Sequence, residues 1–222
     1  MVIVEPTGVI STEVEGEYRL VPYLERRKKW GVTASAGYSS YEPINYEPDF
    51  VTMAADEVYS SPDTPMILLS MSVKRNAEFG SLGGELMVGI YNNNSDVDPT
   101  IVESTLQLIP IYLGLVLNLD AFSGDPYFVP YVSGGLYTVL YKEEADTRTL
   151  NGNTQVAPYL KGGVAFLLDW LDKKAARTGY EESGVQSSYL YAEAMSHMES
   201  SAIQDKDFSN DLNWGLGVKV EF

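Results

Sequence analysis

Four ionisable residues, Glu85, Lys161, Glu193 and Lys219, fall at positions where alternating segments would turn them all to one polar face. Two carboxylates and two ammonium groups sharing an interior have two obvious uses. They can neutralise one another as a buried ion-pair network, because buried charges need partners, or the two acids can line a narrow path for cations. His197 is the only histidine of the chain and so the natural candidate for proton transfer near neutral pH. A hydrolytic role would need a serine on the same face. Ser196 is adjacent and Ser200 lies three residues on, so in a strand both point away from the imidazole and the base–nucleophile geometry is missing. His197 is therefore expected in a polar cluster at the outer end of its strand. The carboxylates Glu42, Glu47, Asp49, Asp56, Glu57, Asp63, Asp96 and Asp98 are hard ligands of the kind that hold calcium or magnesium. Their spacing matches no calcium loop, and the expectation is of loops kept soluble by charge. No catalytic residue, metal ligand or cofactor is assigned.

The elements that would position these groups are strands. From Leu212 to Phe222 the residues Leu212, Trp214, Leu216, Val218, Val220 and Phe222 alternate with Asn213, Gly215, Gly217, Lys219 and Glu221. Period two puts one set on each face of a strand. The same alternation recurs over Trp30–Tyr38, Met66–Val73, Gly80–Tyr91, Thr105–Leu119, Tyr127–Tyr141, Val156–Trp170 and Gln186–Met198, which makes eight strands in all. Within Tyr127–Tyr141 the aliphatic set Val132, Leu136 and Leu140 competes with Tyr131, Tyr137 and Tyr141 for the outer face; the aliphatic set is expected outward. Leu171–Glu182 breaks the period, and its Ala and Lys content predicts a short helix in a turn. The long polar stretches, Ser39–Thr64, Asn92–Glu103, Lys142–Thr154 and Glu199–Asp211, are expected as loops at one end.

Composition narrows the class further. The 222 residues carry 31 acidic and 15 basic side chains, a net charge of -16, which argues against a nucleic-acid partner. Cysteine is absent, excluding disulfides and thiolate sites. No run of 18 or more apolar residues suggests a membrane helix, and no leader is visible at the start, so any secretion signal is expected to have been removed. A tilted strand of about 9 to 11 residues crosses a bilayer, and barrels that do so show an apolar outer band between aromatic girdles. Trp30, Trp170, Trp214 and Phe222 sit at strand ends and are the expected girdle. A soluble lipocalin-like barrel would share the alternation but turn the apolar face inward; the glycine-rich polar face and the terminal Phe favour the membrane form.

Basic residues cluster at Arg26–Lys29, at Lys74 and Arg75, and at Lys173, Lys174 and Arg177. With strands running up and down, all three clusters lie at the end that holds both termini, the periplasmic end of such a barrel. There they could meet anionic headgroups or a periplasmic partner. Residues 1–27 are expected to form an extended periplasmic arm and residues 28–222 the barrel.

LIPIYLGL followed by PYVSGG, then KGGVAFLLD and a chain end in GLGVKVEF, resembles the small outer-membrane barrels of Gram-negative bacteria, the family of OmpA-type transmembrane domains and OmpW-like proteins. The resemblance implies an all-β, eight-stranded antiparallel up-and-down transmembrane barrel in the outer membrane. It implies contact with membrane lipid and lipopolysaccharide, and recognition by the barrel-assembly machinery through the C-terminal strand. A structural, anchoring or interaction role with a side-chain-filled lumen is expected. A narrow channel for ions or small hydrophobic molecules is the alternative. Lipid A deacylases of the PagL type occupy the same kind of barrel, but the order His197, Met198, Glu199, Ser200 departs from their pairing of His and Ser, so the chain is expected not to be an enzyme.

Overall fold

The computed structural model describes residues 11–14, 17–50, 59, 65–94, 104–122, 124 and 126–222. Two short strands, β1 (Ser11–Val14) and β2 (Glu17–Leu20), pair with each other ahead of the one-turn helix α1 (Tyr23–Arg26). Then follow β3 (Trp30–Ser39), β4 (Met66–Ala77), β5 (Gly80–Asn94), β6 (Ser104–Asn118), β7 (Phe128–Ala145), β8 (Arg148–Asn153), β9 (Ala157–Leu167), helix α2 (Lys173–Ser183), β10 (Ser187–His197) and β11 (Asn210–Glu221). Sheet order runs β6-β5-β4-β3-β11-β10-β9-β7-β8, and an additional β6–β7 pairing joins its ends. The first and last barrel strands meet through β3–β11, with Val218 opposite Ala36. Because β8 only extends β7 beyond the rim, the closed ring has eight strands, every neighbouring pair antiparallel. Closure leaves no unpaired edge, which an isolated sheet would expose.

The orientation of the faces decides between the two kinds of barrel. Leu113 is 67% exposed and Leu216 57%, whereas Glu85, Lys161 and Glu193 are 4–5% exposed. The apolar face is outside. In β7 the aliphatic Val132, Leu136 and Leu140 are exposed while Tyr131 and Tyr137 are buried, as the alternation of the neighbouring strands requires. The outer band from Ile109 to Leu119, at about 3.4 Å per residue and a tilt near 40°, is roughly 25 Å tall, the height of a hydrocarbon core crossed by a barrel. None of the described helices is long and apolar enough to cross a membrane.

Small residues inside make room for large ones. The Tyr191 hydroxyl lies where a Cβ on Gly37 or Gly217 would sit, and the Tyr159 hydroxyl fills the same place over Gly114. The glycines of the inward face are thus the floor on which lumenal tyrosines lie. Between β10 and β11 the register shifts at Met195/His197; the irregularity leaves Asp211 and Leu212 both exposed while Asn210 and Asn213 stay buried.

Within the segment expected as an extended arm, Ser11–Val14 and Glu17–Leu20 pair as β1 and β2, and Tyr23–Arg26 forms α1. Helix α2 lies where a helix was expected, capped by Asp172, whose side chain accepts from Ala175 N at 2.9 Å, and ended by Gly184 in the left-handed region at φ 71°. The loop acids Asp56, Glu57, Asp63, Asp96 and Asp98 lie outside the described residues.

Candidate functional site: the filled lumen

The barrel has a terminal end, where β3 begins and β11 ends and where the shorter connections lie, and a loop end. Three layers of inward side chains occupy the space between them.

At the terminal end α1 lies across the mouth. Pro22 precedes it and Arg27 leaves it in an extended conformation, so Tyr23, Arg26 and Arg27 are presented together. Arg26 donates to Asp169 Oδ2 at 2.8 Å and to the Gln186 carbonyl. Arg27 reaches Asp120 Oδ1 at 3.0 Å and the Ala77 carbonyl at 2.5 Å. From the barrel wall, Lys74 Nζ joins Glu221 Oε2 at 2.9 Å and Asp120 Oδ2 at 3.3 Å. The Tyr23 hydroxyl donates to Glu221 at 3.1 Å and accepts from Lys74 at 3.3 Å; burial above all raises its pKa well above the ordinary tyrosine value. Three cations and three carboxylates therefore close this mouth, each with a partner of opposite sign, as charges removed from water require. This corrects the reading of the Arg26–Lys29 cluster as an outward contact site: Arg26 and Arg27 turn inward, and Lys28 and Lys29 remain exposed.

The middle layer holds the four residues singled out in the sequence. Lys161 Nζ lies 3.0 Å from Glu85 Oε1 and 3.7 Å from Glu193 Oε2. Ser133 donates to Glu85 at 2.9 Å and Tyr131 to Glu193 at 2.6 Å. Lys219 is not in the ion-pair chain. Its ammonium sits 4.1 Å from the Tyr131 ring centroid and 5.6 Å from that of Tyr191, a cation–π arrangement, because the carboxylate two residues along its own strand, Glu221, is taken by Lys74. A cavity of about 20 Å³ between Lys219, Lys74, Thr33 and Tyr189 separates this layer from the mouth. It is no larger than one water molecule needs.

The loop-end layer is aromatic. His197 is 3% exposed and its Nε2 meets the Tyr112 hydroxyl at 2.9 Å. Tyr41 and Tyr137 pack edge-on against the ring at 5.3 and 5.0 Å. The expected polar cluster is in fact a tyrosine cage, and Nδ1 has no hydrogen-bond partner among the described residues. Ser200 is turned away to Asp205 Oδ2 at 2.6 Å, and Ser196 faces outward on the opposite parity. Above the cage Tyr46 stacks on Phe208 at 5.0 Å. Glu143, fully buried, accepts from Tyr46 at 2.7 Å, Tyr59 at 3.2 Å and the Asp49 N–H at 3.1 Å. Burial, and for Tyr46 the bond to Glu143, raises both phenol pKa values, so both stay donors. Among the described residues no three His, Asp or Glu side chains converge on a possible metal position.

Trp30, Trp170 and Trp214 are 51–63% exposed and Phe222 37%. Trp214 stands with Tyr38 near the loop end; Trp30, Trp170 and Phe222 stand at the terminal end with Phe79, Phe122 and Phe128. The residues that sequence reasoning missed are Arg26, Arg27, Asp120, Glu143 and Glu221; Asp169 was expected inward, without its partner Arg26. Glu221 shares the inward parity of Lys219, a signal that was present. Asp169 shares the inward parity of Lys161 and Gly163 in Val156–Trp170 and is buried as that parity implies, whereas Asp120 lies just beyond the alternating segment Thr105–Leu119 and nothing in the sequence marks it.

A closed eight-stranded antiparallel barrel with an apolar wall is the architecture of the small outer-membrane barrels. Among solved structures, Ail, the attachment invasion locus protein of Yersinia pestis, in complex with the heparin analogue sucrose octasulfate, is similar with a TM-score of 0.50 at 11% identity, over 88% of this chain and 100% of that one. The outer membrane protein OprG from Pseudomonas aeruginosa is similar with a TM-score of 0.51 at 12% identity, over 88% of this chain and 97% of that one. No protein-family model and no curated protein sequence matches the chain.

Proposed function

We propose that this protein is an integral barrel of a bacterial outer membrane, with a structural or interaction role and a closed lumen. The observation that carries the reading is the pairing of an outer wall free of charge across its central band with an interior whose charges are held by ion pairs, hydrogen bonds or aromatic rings of the protein itself. A wall of this kind is at rest only in hydrocarbon, and an interior of this kind offers no continuous aqueous path. Eight strands enclose a space that side chains can fill, and the three layers fill it. The terminal end, with its basic turns and the arm, lies in the periplasm, and the acidic loop end faces outward. Phe222 and the last strand present the surface for the barrel-assembly machinery, and the β1–β2 hairpin is the part of the arm available to a periplasmic partner. The sulfated analogue bound by Ail is not an expected ligand, because Glu42, Glu47, Glu199 and Asp211 at the loop end would repel a polyanion.

The absence of cysteine makes the orientation directly testable. Ile203 is fully exposed in the β10–β11 loop and Glu182 is exposed on α2. In intact cells a membrane-impermeant maleimide should label Ile203→Cys and leave Glu182→Cys unlabelled until the outer membrane is opened. Labelling of Glu182→Cys alone would reverse the orientation; labelling of both in intact cells, or fractionation with soluble protein, would overturn the location.

A further inference from the structure

The outer wall is not equally smooth all round. At the terminal end, across β7, β9 and β10, it is indented by a groove of about 600 Å³ lined by Tyr127, Phe128, Phe166, Trp170, Leu171 and Leu190. Its shape follows from the register. Phe128 stands directly opposite Phe166 on β9, and Phe166 opposite Leu190 on β10; the two Phe rings meet edge to face at 5.2 Å. Strand β9 then ends at Leu167. The turn that follows, closed by Leu171 N to Leu168 O at 2.9 Å, sets Trp170 edge-on to Tyr127 at 5.9 Å. The aromatic rings stand as walls around a floor of leucine.

Immediately after Leu171 the chain turns into α2. Lys173 and Lys174 occupy its first turn, both exposed, directly after the cap Asp172, whose carboxylate accepts from Ala175 N, and neither lysine forms an ion pair among the described residues. We propose that this groove binds one acyl chain of an anionic phospholipid, with the headgroup held by Lys173 and Lys174. The assignment rests on the membrane reading above, with the terminal end in a phospholipid leaflet. In hydrocarbon an apolar groove gains nothing from leaving water, so any preference for a particular lipid comes from shape and headgroup charge. The rings supply the shape, fixing one chain along the wall, and the lysines supply the charge at the depth where snorkelling side chains meet headgroups.

Trp170 lies in the groove and reports on its occupant. In a Trp30→Phe, Trp214→Phe variant it is the only tryptophan, and acyl-brominated phospholipids quench it on contact. In vesicles of mixed composition, brominated phosphatidylglycerol should reach half-maximal quenching at a mole fraction roughly tenfold below that of brominated phosphatidylcholine, on the strength of two surface lysines. Lys173→Gln with Lys174→Gln, both exposed and outside the barrel wall, should bring the two lipids together. Equal quenching in the parent, or a preference that survives both lysine changes, overturns the site and leaves the membrane reading standing. A companion variant keeping only Trp214 separates the two failures: if neither lipid quenches Trp214 or Trp170, the membrane reading falls and the lipid site with it.

Discussion

The two halves of the lumen solve the same problem with different chemistry. Toward the terminal end, space is closed by ion pairs: Arg26 with Asp169, Arg27 and Lys74 with Asp120 and Glu221, Lys161 with Glu85 and Glu193. Toward the loop end it is closed by rings: Tyr41, Tyr112, Tyr137 and His197, then Tyr46 on Phe208, with Glu143 held by neutral donors. The difference follows from what each end can supply. The terminal end has short turns and a basic segment before the first barrel strand, so cations arrive from outside the wall to meet carboxylates on it. The loop end has long segments rich in Tyr and poor in Lys and Arg, so phenols both fill volume and donate hydrogen bonds. Buried ion pairs are costly to break from one side, whereas aromatic layers lose mainly packing. The first half should therefore fail abruptly under substitution and the second by degrees.

The sharpest test of that contrast is Lys161→Met, which takes away the cation paired with both Glu85 and Glu193 and leaves in that layer only Lys219, held over the Tyr131 ring. It should cost about 3–5 kcal/mol of stability, read by urea unfolding in lipid vesicles. A cost below about 1 kcal/mol would mean that the middle layer is hydrated and the halves are not distinct. Next comes Phe208→Ala at the loop end. It removes the stacking partner of Tyr46, and about 3 kcal/mol is expected because a loop can partly collapse into the space. Arg26→Gln should cost about 2 kcal/mol, less than Lys161→Met, because Asp169 keeps the Ser188 N–H at 2.9 Å. The smallest effect is a pH slope. The folded Tyr46 phenol lies above its ordinary value of 10.0, so its contribution is complete below that pH and is lost as pH rises beyond it. Unfolding midpoints from about pH 8 to about pH 11 should fall at the alkaline end, and Tyr46→Phe should flatten that fall.

Much of this architecture could be read before any coordinates. Eight alternating segments become the eight ring strands, and the face assignment holds even in Tyr127–Tyr141, where two apolar sets compete, because tyrosine can serve either environment and aliphatic residues cannot. Helix α2 was legible for a similar reason, since Leu171–Glu182 simply lacks the strand period. The terminal mouth was not legible. Arg26 and Arg27 sit in a run of four basic residues that looks like a surface patch, and only the turn made by α1 sends two of them inward. Lys219 shows the converse limit. Parity places it correctly in the lumen, but parity carries no distances, so it could not tell that Lys74 would occupy Glu221 and leave Lys219 to the rings of Tyr131 and Tyr191. His197 was placed at the right height with the wrong company, because its neighbours come from β6, β7 and the first long loop rather than from its own strand.

The closed lumen proposed above requires that ion pairs and stacked rings leave no open path through the barrel. Single-channel recording of the purified protein in planar bilayers tests it most directly. Insertion without a steady open level is expected, with brief openings in Lys161→Met, where the middle layer has lost the cation paired with both acids. A stable conductance in the unmodified protein that is reduced by Glu85→Gln and Glu193→Gln would contradict it, making the two acids the lining of a cation path.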